Sequence, residues 1–227
     1  MAVTSTKESS VKRKDVEFKR IEINDSYIYL YSKRFIDIFG SVLGLILLSP
    51  LFILVGILIK IEDPKGPIIF RQKRVGKNQS EFHMCKFRSM VSNAEELKVT
   101  LIEKNELSGP VFKIKNDPRI TKVGKFIRKT SLDELPQLFN VLKGEMSLVG
   151  PRPPLPSEVE LYNEYEKQRL SITPGLTCYW QVSGRNNIGF DEWVELDLKY
   201  IKERSVFLDL KLILKTILVL FGSKNAY

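Results

Sequence analysis

The sequence predicts an α/β fold, mainly α, in which one long apolar segment precedes a modest globular domain. Three observations carry this. Residues 35–59 read FIDIFGSVLGLILLSPLFILVGILI, almost wholly apolar and interrupted by Ser49-Pro50. Two short stretches, Ile68 to Arg74 and Glu81 to Phe87, have strand character and lie between Gly- and Pro-containing turns. Most of the chain from Ser92 to Phe221 falls into helical stretches separated by Pro and Gly. With 227 residues there is room for one membrane segment and one such domain. The predicted divisions are a mobile basic tail at 1–32, the membrane segment at 33–62 and a cytosolic globular domain with membrane-interface helices at 63–227.

Residues 1–26 are polar, charged and without apolar periodicity, which predicts a tail and no cleavable signal peptide. Tyr27, Tyr29 and Tyr31 fit either an interfacial aromatic belt or a short strand. The apolar segment is long enough to cross a bilayer core, which needs about 20 residues. Pro50 removes a backbone hydrogen bond and should bend or break the helix, and the Ser49 hydroxyl can satisfy a freed carbonyl. Lys33 and Arg34 stand before the segment, and Lys60, Lys65, Arg71, Lys73 and Arg74 after it. A spanning helix usually concentrates its cations on one side. Cations on both sides fit a helix that enters, bends and leaves by the same face. An ordinary span with a proline kink is the other solution these residues allow.

Beyond the turn Asp63-Pro64-Lys65-Gly66-Pro67 and the two strands, Ser92 to Lys104 predicts a helix with Glu95 and Glu96 in its first turn. Ile120 to Lys129 predicts a helix with a basic face of Lys122, Lys125, Arg128 and Lys129, suited to headgroups or phosphates. Ser131 and Glu134 have the spacing of a capping box for a helix that runs to Lys143-Gly144, with Pro136 pushing its start later. The prolines of Gly150-Pro151-Arg152-Pro153-Pro154 demand a rigid loop that presents Arg152. Ser157 to Leu170 predicts a charged helix, Gly184-Arg185-Asn186 a second arginine-bearing loop, and Phe190 to Arg204 another helix. Val206 to Phe221 is apolar but holds Asp209, Lys211 and Lys215, which favours an interfacial helix over a second span.

Net charge is +9, which suits anionic lipid, nucleotides or nucleic acid. Two cysteines, Cys85 and Cys178, are too few for a disulfide framework, and a single histidine, His83 in a strand, argues against histidine triads and zinc sites. No Walker loop and no GxGxxG is present. Asp133 and Glu134 would need no role beyond offsetting a helix dipole if they stood alone. Their company is Arg128, Arg152 and Arg185 in turn-rich settings, where arginine suits bidentate phosphate binding. Carboxylates beside arginines suggest phosphates, with a metal between them.

Four ordered stretches carry a resemblance. Lys86-Phe87-Arg88-Ser89-Met90, Ser131 to Gln137, Ser147 to Pro153, and Pro174-Gly175 through Gly184-Arg185-Asn186 resemble the bacterial sugar transferases, the small monotopic phosphoglycosyl transferases. The similarity runs from about Lys33 to Phe221 and is to the minimal catalytic unit. It implies transfer of a sugar-1-phosphate from a UDP-sugar to a polyprenyl phosphate with release of UMP, starting an exopolysaccharide, capsule or O-antigen. It also implies Mg²⁺ as cofactor, Asp133 as nucleophile, and Glu134 as metal ligand or proton acceptor beside it. Lys86, Arg88, Arg128, Arg152 and Arg185 become phosphate-binding candidates. The hairpin reading is implied too, re-entrant and broken at Ser49-Pro50, on the cytoplasmic face of a bacterial inner membrane. Anionic lipid is an expected partner and nucleic acid is not; oligomeric state, a homodimer included, stays open. Ser108 to Lys113 is more similar to members that use glucose or galactose than to those using N-acetylated sugars. Two rivals are a non-catalytic basic membrane adaptor and a membrane-associated phosphohydrolase.

Overall fold

The computed structural model describes residues 20–101, 114, 117–182 and 189–222. Helix α1 covers Tyr27–Leu47 and α2 covers Ser49–Glu62. The three tyrosines are therefore helical, which removes the strand alternative and ends the predicted tail at Tyr27. Leu48 alone separates the helices, and their axes are bent by 61°. The break falls one residue before the Ser-Pro pair for a simple reason. Pro50 sits in the first turn of α2, where its missing N–H has no intrahelical partner to lose. Ser49 Oγ donates to the Ile46 carbonyl at 2.8 Å, as its position demands. No single described helix is long and apolar enough to cross a membrane; α1 and α2 meet that test only as a bent pair.

An alanine at position 50 regains an N–H that can reach back toward Ile46. Spin labels on the exposed Ile38 and Ile57 are expected to move apart in Pro50→Ala as the bend relaxes. An unchanged distance would show that packing, not proline, holds the angle.

Helix α1 is amphipathic in the inverted sense. Its buried positions are Tyr29, Lys33, Asp37 and Ser41, spaced by four. Tyr27, Ile28, Tyr31, Phe35 and Phe39 face outward. Both limbs of the hairpin pack on one body. Glycines 40 and 44 let α1 approach closely, since a Cβ on Gly40 would lie 2.8 Å from Leu148 Cδ1. On α2, Val55 and Ile59 join a core with Phe87 and Ile127.

The strands β1 (Ile69–Val75) and β2 (Glu81–Phe87) form the predicted antiparallel pair, with Arg74 opposite Phe82. Helix α3 spans Ala94–Leu101, shorter at its start than predicted, and residues 102–104 lie outside the description. Helix α4 is Lys122–Lys129, capped by Thr121, whose hydroxyl accepts from Gly124 N at 2.8 Å. The predicted 131–143 helix is instead a 3₁₀ turn, Leu132–Glu134, followed by α5, Gln137–Lys143. The Ser131/Glu134 capping box does not form. Ser131 takes a left-handed backbone, φ 57°, and the Glu134 side chain bonds elsewhere. A short parallel pair follows: β3 (Ser147–Val149) beside β4 (Gly175–Thr177). Between them the predicted 157–170 helix splits into α6 (Pro156–Val159), α7 (Glu164–Lys167) and a 3₁₀ turn. Asn163 divides it by capping Glu166 N at 2.9 Å. Helix α8 is Tyr179–Val182, α9 is Phe190–Glu203 and α10 is Val206–Gly222.

Charges read as surface flanks turn inward here. Lys33 Nζ lies 2.9 Å from Asp209 Oδ2 on α10 and donates to the Val149 carbonyl at 2.8 Å. Arg34 caps the end of α5 through the Val141 and Leu142 carbonyls at 2.6 and 2.7 Å. Asp37 accepts from Ser147 Oγ and Leu148 N at 2.9 and 2.8 Å. Lys211 and Lys215 do face solvent, along with the apolar Phe207, Leu210, Leu214 and Leu218 of α10.

Candidate functional site

Asp133 and Glu134 ride on the 3₁₀ turn between α4 and α5. The turn is anchored from below by Leu132 and Leu135, which pack on the Phe87 and Ile127 core. Helix α4 is itself fixed to the hairpin, because Glu62 at the end of α2 accepts from Lys122 N and Val123 N at 2.6 and 2.9 Å. The carboxylate turn and the apolar hairpin therefore share one rigid connection.

From β2, Lys86 Nζ reaches Glu134 Oε1 at 2.7 Å. Arg152 Nη1 stands 3.9 Å from the same oxygen. The loop carrying Arg152 is as rigid as its prolines predict. Gly150 N donates to Thr177 O, Gly175 N to Pro151 O and Val75 N to Pro154 O, each at 2.9 Å. A Cβ on Gly175 would lie 2.1 Å from Gly150 N, so only glycine admits this approach. Arg74, 6% exposed, donates from Nη1 to Pro153 O at 3.0 Å and holds the loop from β1. Arg152 also lies over the Trp180 ring, 5.9 Å from its centroid.

Burial, reinforced by the Glu134 charge, raises Asp133 to about 6 against the opposing pull of Lys86 and Arg128. Lys86 is lowered, with burial outweighing the attraction of Glu134 and Arg152 adding to the fall. Burial and the Arg152 charge bring Arg74 down to about 10. The site is thus drier than a surface acid cluster and holds both signs of charge at close range.

The structure brings Asp133, Glu134, Lys86 and Arg152 together, with Arg128 near enough to act on Asp133. Arg88 does not join them. Its guanidinium donates to Asp63 Oδ2 at 2.8 Å and to the Asp63 carbonyl, stapling the end of the hairpin to β2. Arg185 and the Ser108 to Lys113 stretch lie outside the described residues. Ser49 and Pro50 stand at the hairpin break. His83 is exposed on β2, consistent with a strand residue and no more. A narrow cleft opens beside Glu134, lined also by Lys86, Gln137, Arg152, Leu176 and Gln181. Gln137 and Arg74 were not singled out by sequence; a glutamine opening a helix and an arginine in a strand give no local sign of what they touch.

Among the described residues no group of three or more His, Cys, Asp or Glu could hold a metal by itself. Mg²⁺ rarely needs one: one or two carboxylates, waters and substrate phosphates complete its shell. Adjacent carboxylates, with Asp133 raised first by burial and then by the Glu134 charge, fit that mode.

Residues 28–223 match the family model described as bacterial sugar transferase. Over 199 residues the chain is 52% identical to the galactosyl transferase CpsE of Streptococcus agalactiae serotype III (strain NEM316), covering 87% of this chain and 44% of that one. It is 45% identical over 201 residues to the undecaprenyl-phosphate galactose phosphotransferase of Salmonella typhimurium (strain LT2), covering 87% and 42%. With the exopolysaccharide production protein ExoY of Sinorhizobium fredii (strain NBRC 101917 / NGR234) it shares 41% identity over 200 residues, 86% of this chain and 88% of that one. The chain spans less than half the length of the first two relatives and most of the third. Because the matched stretch takes in the hairpin, the carboxylate turn and the Arg152 loop together, the chain belongs to the bacterial sugar transferase family.

Proposed function

We propose that this protein transfers a hexose-1-phosphate from a UDP-hexose to a polyprenyl phosphate, releasing UMP. The observation that carries the reading is the convergence of two carboxylates with Lys86, Arg152 and Arg128 beside an apolar hairpin. Asp133 Oδ attacks the sugar-bearing phosphorus; an aspartyl O–P bond forms and the bridging P–O bond to UMP breaks. An oxygen of the lipid phosphate then attacks the same phosphorus, and the aspartyl bond breaks to free the carboxylate. Two displacements let a soluble nucleotide and a lipid use one pocket in turn. Lys86, Arg128 and Arg152 orient the phosphates and offset their charge. Mg²⁺, held by Asp133 and Glu134 with the donor diphosphate, would supply further charge neutralisation. Galactose, in the names of the Streptococcus and Salmonella relatives, is the first donor sugar to test.

The membrane placement belongs to the same proposal. Both limbs of the hairpin pack on one body, and its outward faces are apolar. That supports a re-entrant hairpin dipping into the cytoplasmic leaflet of the inner membrane. A phosphate at headgroup level then meets Asp133 without crossing the bilayer.

The test is UMP release from UDP-galactose with and without polyprenyl phosphate. A covalent enzyme gives a burst of about one UMP per active site without lipid and turnover with it. Steady UMP or sugar phosphate release without lipid would mark a phosphohydrolase, and no release from any UDP-hexose a binding protein. The pH profile has a definite sign. Asp133 attacks only when ionised and holds its proton up to about 6. kcat/KM is therefore expected to fall about tenfold per unit below pH 6. A flat profile down to pH 5 would show that Lys86, Arg128 and the bound cation keep Asp133 ionised in the working site.

A further inference from the structure

Gln137 opens α5 and is 3% exposed, yet it lines the cleft beside Glu134. Among the described residues its side-chain amide has no hydrogen-bond partner. Its amide atoms are not among the sealed unsatisfied polar atoms of the fold, so they are reachable from the cleft that Gln137 lines and are free to meet a guest there. The cleft as a whole is small, with room for about one water-sized group and not for a sugar ring. Lys86 and Arg152 line the same space, and both are already drawn toward Glu134. A neutral amide adds a donor there without adding charge.

We propose, resting on the phosphoryl-transfer reading above, that Gln137 Nε2 donates to a non-bridging oxygen of the phosphoryl group being transferred. Negative charge redistributes over these oxygens as the Asp133–phosphorus bond forms and the bond to UMP breaks. A fixed donor there stabilises the transition state more than the ground state. Gln137 is then a catalytic residue beside Asp133. A single structural water on the amide is the competing occupant, and it predicts a different outcome.

The experiment uses the full chain in nanodiscs and UDP-galactose carrying sulfur in place of one non-bridging oxygen on the sugar-bearing phosphorus, as separate diastereomers. Gln137→Met, close in volume, is expected to lower kcat for the all-oxygen donor about 100-fold. KM should change by less than about threefold, because the contact strengthens only in the transition state. The wild-type preference between diastereomers should shrink about tenfold in the variant, since sulfur is a poor acceptor only where a donor awaits it. Should Gln137→Met fail to fold, Gln137→Asn withdraws the amide by one methylene and must shift the same ratio. A variant that loses activity with the diastereomer ratio unchanged overturns the proposal, because a structural water or a loosened helix would act that way. A wild-type chain that releases no UMP from UDP-galactose or any other UDP-hexose overturns the proposed function and this role together. An active wild type with a ratio insensitive to position 137 overturns this role alone.

Discussion

An Asp133→Asn variant is expected to release no UMP above background and to melt higher than the wild-type chain at pH 7.5. The loss follows from the chemistry: an amide oxygen is a far poorer nucleophile, and removing a nucleophile costs at least about 10⁴-fold. The gain follows from electrostatics. Asp133 is raised to about 6 in the fold, against 3.8 for its reference value. Between these values the folded chain binds more protons than the unfolded one, so stability falls as pH rises through the window. Above about pH 6 the full penalty is present. A shift of this size corresponds to about 3 kcal/mol at most, and relaxation leaves about 1–3. Asparagine removes the penalty, so the advantage should be clear at pH 7.5 and absent near pH 4. Thermal melts in nanodiscs at both values check the sign. A variant less stable at pH 7.5 would mean that Lys86 and Arg128 outweigh burial. If Asp133 is the proposed nucleophile, keeping its carboxylate where its charge is disfavoured trades stability for activity.

Local chemistry explains what could be read from the sequence and what could not. The hairpin break was legible because proline and serine act within a few residues: Ser49 Oγ on Ile46 O is a contact of spacing three. Strands β1 and β2 were legible because turn residues bound both and the partner is adjacent in sequence. Glu134 shows the limit. Its spacing from Ser131 has the form of a capping box, but Lys86, 48 residues away, takes the carboxylate. Arg88 is the mirror case: two positions beyond Lys86 in the same motif, it is drawn to Asp63 at the hairpin end. Helix α1 was misjudged at Lys33 and Arg34 because basic flanks ordinarily face headgroups. Their partners, Asp209 and the end of α5, are more than a hundred residues on. A helix with an apolar exterior and a polar buried stripe cannot be told from a lipid-facing span until those partners are placed.

That polar stripe supports the second large effect. Lys33→Met is expected to destabilise the protein by about 3–5 kcal/mol, more than most single substitutions. Lys33 and Asp209 are both nearly inaccessible, with side chains 10% and 3% exposed. Methionine fills the volume of the lysine stem but leaves the Asp209 charge in the interior. Tyr29 and Tyr200 still donate to that carboxylate, at 3.1 and 2.6 Å, and they do not neutralise it. Adding Asp209→Asn removes the stranded charge; its one carbonyl oxygen accepts from one hydroxyl, and its NH2 donates to the other. The double variant should therefore recover at least half of the loss, giving a strong positive coupling in the cycle. Losses that simply add would show that the pair does not act as a unit. The consequence reaches the site as well. Lys33 holds the Val149 carbonyl and Asp37 holds Ser147 and Leu148, so α1 grips the strand that delivers Arg152. Loosening this grip should raise KM for the UDP-hexose in Lys33→Met at temperatures where the variant remains folded. The double variant should lower it again, because the hairpin and the Arg152 loop are seated by the same buried contacts.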